Sequence, residues 1–283
     1  MNTTKITSDA EVKLILGSTN ASDALVSIHN QLSTNVLCDL LQMNNLATHN
    51  IVKEEIDVSG CGSILEFRDF PVDTTTIELY NYLNTRIDSD VEYRDDSHSE
   101  QLIHLVNSAG NKVSLGYKTG QVLANYTGGY TVQDSIALTA NPSDGETFIV
   151  DVVGTQTTYT IKDTPSATTD IQKGSTKEDT ATNIASKVVG TVTGATVTFP
   201  LGMDFVSSVF SASFSEKNIP EELKYIVALI AGGSISNAER AGGVVSYKLG
   251  QKSVNFRNAN EAQEAKKILE IYLSKYTPII ILS

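Results

Sequence analysis

The 283-residue chain carries 33 Asp and Glu against 21 Lys and Arg, for a formal net charge of −12, and 40% of its residues are apolar. That apolar content belongs to a globular chain rather than a disordered one, and the length suffices for one large domain or two modest ones. An acidic balance argues against a protein that grips nucleic acid, because tight phosphate binding needs clustered Lys and Arg to displace counterions.

The opening residues, MNTTKITSDAEVK, lack the apolar stretch of a signal peptide. No run approaches the roughly 18 apolar residues of a membrane span. Cys38 and Cys61 stand alone and make no disulfide framework, which fits synthesis in a reducing compartment.

In chain order, residues 1–45 read as helical. Ser8 and Glu11 form a capping-box pair ahead of Val12, Leu14 and Ile15, and Gly17 is placed to stop the helix. A longer helix, Ser22–Gln42, carries Leu25, Ile28, Leu32, Val36 and Leu40 three or four residues apart, an apolar stripe roughly 30 Å long. From Ile51 to Tyr130 the pattern becomes short strands: SILEFRDFPV, TTIELYNYL, the pair in EQLIHLVNSAGNKVSLGYK, and VLANYTGGYTV. Turn residues between them predict a small antiparallel sheet.

Residues 131–218 differ in character. SIALTA, ETFIVDVVG, TTYTIKD and ATVTFP read as Thr- and Val-rich strands, with a helix after Ser175–Thr176 whose face is Ala181, Ile184, Ala185 and Val188. Strands, helix and strand in that order describe an inserted unit. From Ile219 to Tyr276 the chain reads helix, hairpin, helix. Pro220, Glu221 and Glu222 suit a helix N-terminus, and Leu223, Ile226, Val227 and Ile230 give its stripe. GVVSYKLGQKSVNF alternates as a hairpin. A capping-box pair at Asn260 and Gln263 opens the last helix, with Ala265, Ile268, Leu269, Tyr272 and Tyr276 on one face.

The expected fold is therefore α+β: a helical bundle with a small antiparallel β-sheet and an inserted β-rich domain of β-β-β-α-β type. Residues 1–130 and 218–283 form the core, 131–217 the insertion, and 277–283 an extended tail. Charge is uneven across these parts. Residues 1–130 hold 8 basic and 17 acidic groups, whereas 219–283 hold 8 and 6.

Sites for chemistry are sparse. The histidines (His29, His49, His98, His104) lack metal-ligand spacing with one another or with the cysteines. Gly60–Cys61–Gly62–Ser63 lacks the Gly-Lys-Ser/Thr that would complete a phosphate loop. The acidic run Asp88, Asp90, Glu92, Asp95, Asp96, Glu100 begins like a calcium loop. It has Tyr93 where the glycine belongs and Ser99 where the last glutamate belongs, so it reads as a solvated loop. Tyr126–Thr127–Gly128–Gly129–Tyr130 reads as a strand end with a tight turn. The tail Thr277, Pro278, Ile279, Ile280, Ile281, Leu282, Ser283 suits either a last strand in the chain's own core or a strand added to another protein's sheet edge. No catalytic, cofactor-binding or metal-ligating residue is expected.

Taken together, four segments resemble the head-to-tail connector (adaptor) proteins of tailed bacteriophages. EVKLILG followed by DALVSIHNQLSTNVLCDLL is similar to the family's short-then-long helix opening. LEFRDFPVDTTTIELYNY resembles its strand ending in Pro-Val and the strand that follows, and VLANYTGGY its Tyr-x-Gly-Gly-Tyr turn. IPEELKYIVALI, Arg240, GVVSYKLGQKSVNF and the final helix complete the pattern. The chain departs from the family in the 85 or so residues between that turn and the Pro-Glu helix, which resemble small Thr-rich β modules of other phage structural proteins, and in Gly232–Gly233, which weakens the helix by about 1 kcal/mol each relative to Ala.

The resemblance implies a non-enzymatic virion protein, made in the host cytoplasm and placed at the head–tail junction. It would form a dodecameric ring under the portal, extend the DNA channel and dock the tail or a neck protein. Viral DNA would pass without specific binding, and no membrane would be involved. Thr277–Ser283 would contact the portal. Leu25, Ile28, Leu32, Val36, Leu40, Leu223, Ile226, Val227, Ile230, Ile268, Leu269 and Tyr272 would be the packing residues of the helices, the long N-terminal helix lying between subunits or against its own helical block. The alternative is another tail-completion, neck or baseplate protein. A hydrolase or sugar-binding protein built on the 88–100 loop stands against the absence of catalytic motifs.

Overall fold

The computed structural model describes residues 4–17, 20–59, 63–96, 99–115, 121–209, 211–238, 245–249 and 252–276. The chain divides into two compact units. One comprises Met1–Lys5, Ala24–Tyr130 and Tyr225–Ser283, and the other Ile6–Asp23 and Thr131–Lys224.

The expected helical bundle does not form. Among the described residues the protein is a mixed fold of five helices and several small sheets. The physical reason lies in the strands of residues 49–128, which join into one six-stranded sheet with a core cluster of its own.

Helix α1 (Asp9–Leu16) belongs to the second unit. Ser8 caps it: its hydroxyl accepts from the Glu11 N–H, and the Glu11 carboxylate accepts from the Ser8 N–H at 2.7 Å. Helix α2 (Asp23–Leu41) leads into the first unit's strands, β1 (His49–Ser59), β2 (Ile64–Glu66), β3 (Val72–Tyr80), β4 (Glu92–Asp96), β5 (Ser99–Val106) and β6 (Gln121–Gly128). They form one antiparallel sheet in the order β3-β6-β1-β2-β5-β4. Strand β1 makes this possible by changing partners along its length, pairing with β6 up to Asp57 and with β2 at Val58 and Ser59. After β3 the chain returns on itself, with the Ile87 N–H donating to the Leu79 carbonyl at 2.9 Å. Ile56, Leu65, Phe67, Leu79, Ile103, Leu105, Val122 and Tyr126 form one core cluster, and every one of them comes from this sheet or its loops.

The second unit holds β7 (Ser135–Leu138), β8 (Thr147–Val152), β9 (Thr155–Lys162), β10 (Asp170–Gln172), α3 (Lys177–Val188), β11 (Thr191–Thr193), β12 (Thr196–Thr198), β13 (Met203–Val209) and β14 (Ala212–Ser215). Two four-stranded sheets result, ordered β10-β9-β8-β13 and β11-β12-β7-β14. Helix α3 is capped by Thr176 with Asp179 and buries the expected face, Ala181, Ile184, Ala185 and Val188, against Phe148, Val150 and Phe199. Strands β10, β11, β13 and β14 have no clear sequence signal. They are short or interrupted, and β13 carries an irregular register between Phe205 and Ser207. The two ends of this segment meet: the Asn218 N–H donates to the Thr131 carbonyl (2.9 Å), and the Thr131 N–H to the Asn218 side chain (2.6 Å). Lys224 is buried against Glu11 at 2.7 Å. Burial opposes the ammonium, but the Glu11 carboxylate outweighs it and holds the Lys224 pKa above its ordinary value.

Helix α4 (Glu221–Ala238) runs unbroken through Gly232 and Gly233. The hairpin β15 (Val245–Leu249) and β16 (Lys252–Phe256) follows, and then α5 (Ala259–Tyr276). The cap of α5 is Asn258, whose side chain accepts from the Glu261 N–H at 3.0 Å, two residues earlier than the spacing suggests. Gly233 is a contact requirement rather than a weakness: a Cβ there would lie 1.9 Å from the Asn255 carbonyl oxygen of β16. Replacing Gly with Ala ordinarily stabilises a helix by about 1 kcal/mol. Gly233→Ala should instead destabilise by about 1–3 kcal/mol, as overpacking does, read as a lowered urea midpoint. An unchanged or raised midpoint would show that β16 yields freely.

Candidate interaction surface

Helix α2 is unusual in its chemistry. From Ala24 to Cys38 it contains no Asp, Glu, Lys or Arg. Its buried side is Val26, Asn30, Ser33, Thr34, Leu37, Cys38 and Leu41. The stripe read from the sequence is the other face: Ile28 is 57% and Leu32 50% exposed, with Leu25, Val36 and Leu40 half-buried. Periodicity locates an apolar stripe but not the side that meets the core. A surface helix normally shows water a charged face, and this one shows leucine and isoleucine.

The other expected packing residues lie in α4 and α5. Leu223, Ile226, Val227 and Ile230 of α4 are buried within the chain, as is Leu269 of α5. Ile268 is half-buried and Tyr272 lies in α5. Thr277–Ser283, Arg240, His98 and Gly60–Cys61–Gly62 fall outside the described residues.

In the acidic run, Glu92–Asp96 form β4 and Asp88 turns inward. Asp88 is buried, and its carboxylate accepts from Arg86 Nε (2.7 Å), Tyr93 Oη (2.5 Å) and the Leu79 N–H (3.2 Å). Burial penalises its charge, yet these donors hold its pKa below the ordinary value. Among the described residues no group of three or more His, Cys, Asp or Glu could hold a metal, and no helix is long and apolar enough to cross a membrane.

A second polar cluster has no sequence signal, because topology alone brings its members together. Asp69, in the loop between β2 and β3, is 0% exposed. Its carboxylate accepts from the Asn44 N–H (2.6 Å) and the Asn44 side chain (2.7 Å), and lies 3.4 Å from His49 Nε2. The other His49 ring nitrogen faces the Ala47 carbonyl at 2.9 Å, so both nitrogens meet acceptors and the imidazolium is favoured. Beside them the Tyr126 hydroxyl donates to Glu54 and accepts from the Asp69 N–H. Burial opposes ionisation of Asp69, but His49 and Asn44 outweigh it and lower its pKa. Burial likewise raises Glu54, only partly offset by the bond from Tyr126. With its donors supplied by loop backbone and neighbouring side chains, this cluster fastens the 44–49 loop to β1, β6 and the 67–71 loop.

No family model, curated protein or solved structure matches the chain.

The hydrogen bond to Asp69 raises the His49 pKa, with burial acting against it. A raised pKa in the folded state gives stability that is complete below the ordinary 6.5 and is lost as pH rises through the raised value. The urea midpoint of the wild-type chain should therefore fall as pH rises above 6.5 and through the raised value. In His49→Gln that decline should flatten. Parallel pH profiles for the two proteins would remove His49 from this role.

Proposed function

We propose that this protein is a non-enzymatic virion structural protein, a head-to-tail adaptor that assembles as a ring under the portal and presents a docking surface to the tail or a neck protein. One observation of the structure supports the reading: between Ala24 and Cys38, where α2 carries no Asp, Glu, Lys or Arg, Ile28 and Leu32 are half or more exposed. An apolar helix face of that kind marks a protein–protein contact, and repetition of one contact around an axis closes a ring. The acidic balance of residues 1–130, 8 basic against 17 acidic groups, suits a channel wall along which DNA moves without being held.

Cross-linking mass spectrometry of intact phage particles tests it. Lys266 and Lys267 are exposed on α5 and supply reactive amines. Links from them to a portal subunit, together with a purified assembly of twelve 30.5 kDa chains, are the expected result. Links confined to tail or baseplate proteins would assign the chain to another part of the virion, and its absence from purified particles would end the structural reading.

A further inference from the structure

Helix α1 joins the second unit from outside it. The chain crosses from the first unit at Lys5–Ile6 and returns at Asp23–Ala24, whereas the rest of the second unit is the continuous stretch Thr131–Lys224. With eight residues, α1 is too short to be stable alone and depends on its seat. Ile6, Val12 and Leu16 are buried there. Gly202 (φ +78°), just before β13, comes so close that a Cβ on it would lie 2.8 Å from Ser8 Cβ. Lys224, in the first turn of α4, reaches Glu11 at 2.7 Å with only 4% of its side chain exposed.

This ion pair can part without stranding a charge. Separating a buried pair is normally costly because each ion is left uncompensated. Here each keeps another partner. Lys224 Nζ also lies 3.0 Å from Glu221, three residues earlier on α4 and 72% exposed. The Glu11 carboxylate also accepts from the Ser8 N–H (2.7 Å) and the Thr7 hydroxyl (3.0 Å), both in its own segment. Glu11 and Lys224 both line a cleft of about 210 Å³, through which water can meet the charges as they separate. We propose that α1 is a detachable strap: it lifts off the second unit, leaving Lys224 with Glu221, while the rest of that unit stays folded. With α1 lifted, the second unit is linked along the chain to the first through Tyr130–Thr131 and Lys224–Tyr225 alone. Such an opening is a local one, well below the energy of global unfolding.

Hydrogen exchange of the full chain, read by mass spectrometry, tests this. A helix of this length does not persist off its seat, so the Val12–Leu16 amides exchange each time α1 lifts. In the wild-type chain, relative to their unfolded rates, they should exchange about tenfold or more faster than the amides of α3 in the same unit. Gly202→Ala, which crowds Ser8, and Lys224→Met, which removes the pair, should each speed α1 exchange by about a further tenfold and leave α3 unchanged. A single rate for α1 and α3 in the wild-type chain would show that the two open together and would overturn the proposal. So would both variants speeding α3 as much as α1, or either one leaving α1 exchange where it was.

Discussion

The first unit depends on how closely three backbone segments approach around Asp69. Gly128 stands where a Cβ would lie 2.4 Å from the Asp69 carbonyl oxygen, and Gly129 (φ +98°) where one would lie 2.6 Å from the Ala47 carbonyl oxygen. That proximity lets the Gly129 N–H reach the Pro71 carbonyl (3.0 Å) and the Tyr130 N–H the Leu46 carbonyl (2.7 Å). A buried carboxylate would be costly there without partners. Asn44 and His49 supply them, and they come from the segment that follows α2. The same cluster that neutralises Asp69 thus fixes where α2 ends and β1 begins.

Much of this is legible in local chemistry and short-range periodicity, and little of it where distant segments meet. The Ser8–Glu11 box, the α3 face and the 245–256 hairpin announce themselves because their signals are short-range: a hydroxyl three residues before a carboxylate, or apolar side chains alternating about a turn. The Tyr-Thr-Gly-Gly-Tyr segment reads as a strand end with a turn. Its glycines, however, answer to Asp69 and Ala47, which lie 59 and 82 residues earlier in the sequence and leave no mark beside them. Gly233 teaches the same lesson. Helix propensity counts it as a weak point, whereas packing against Asn255 makes it a requirement.

Helix α2 shows why the sequence points to the wrong fold class. Its leucines and isoleucine at 25, 28, 32 and 40 satisfy the helical period, and so do Val26, Leu37 and Leu41 on the other side. With apolar residues on both faces, spacing cannot choose between them. The core takes the face carrying Asn30, Ser33 and Thr34, small or hydrogen-bonding side chains. Thr34 Oγ1, for example, donates to the Asn30 carbonyl at 3.1 Å. An expectation of helices packed on that leucine stripe leads to a bundle, whereas the opposite side of α2 is the buried one and Ile28 and Leu32 of the stripe face outward.

The balance on the outside follows from range. Repulsion between acidic copies acts over a Debye length of about 8 Å at physiological ionic strength, whereas apolar burial contributes only on contact, at about 25 cal/mol per Å² of apolar surface removed from water. A −12 chain whose apolar faces met charged surroundings would remain dispersed. One whose apolar faces lie in charge-free stretches remains dispersed in most orientations and adheres in very few. The Ala24–Cys38 helix segment and the 81–85 turn are two stretches of this acidic chain without Asp, Glu, Lys or Arg.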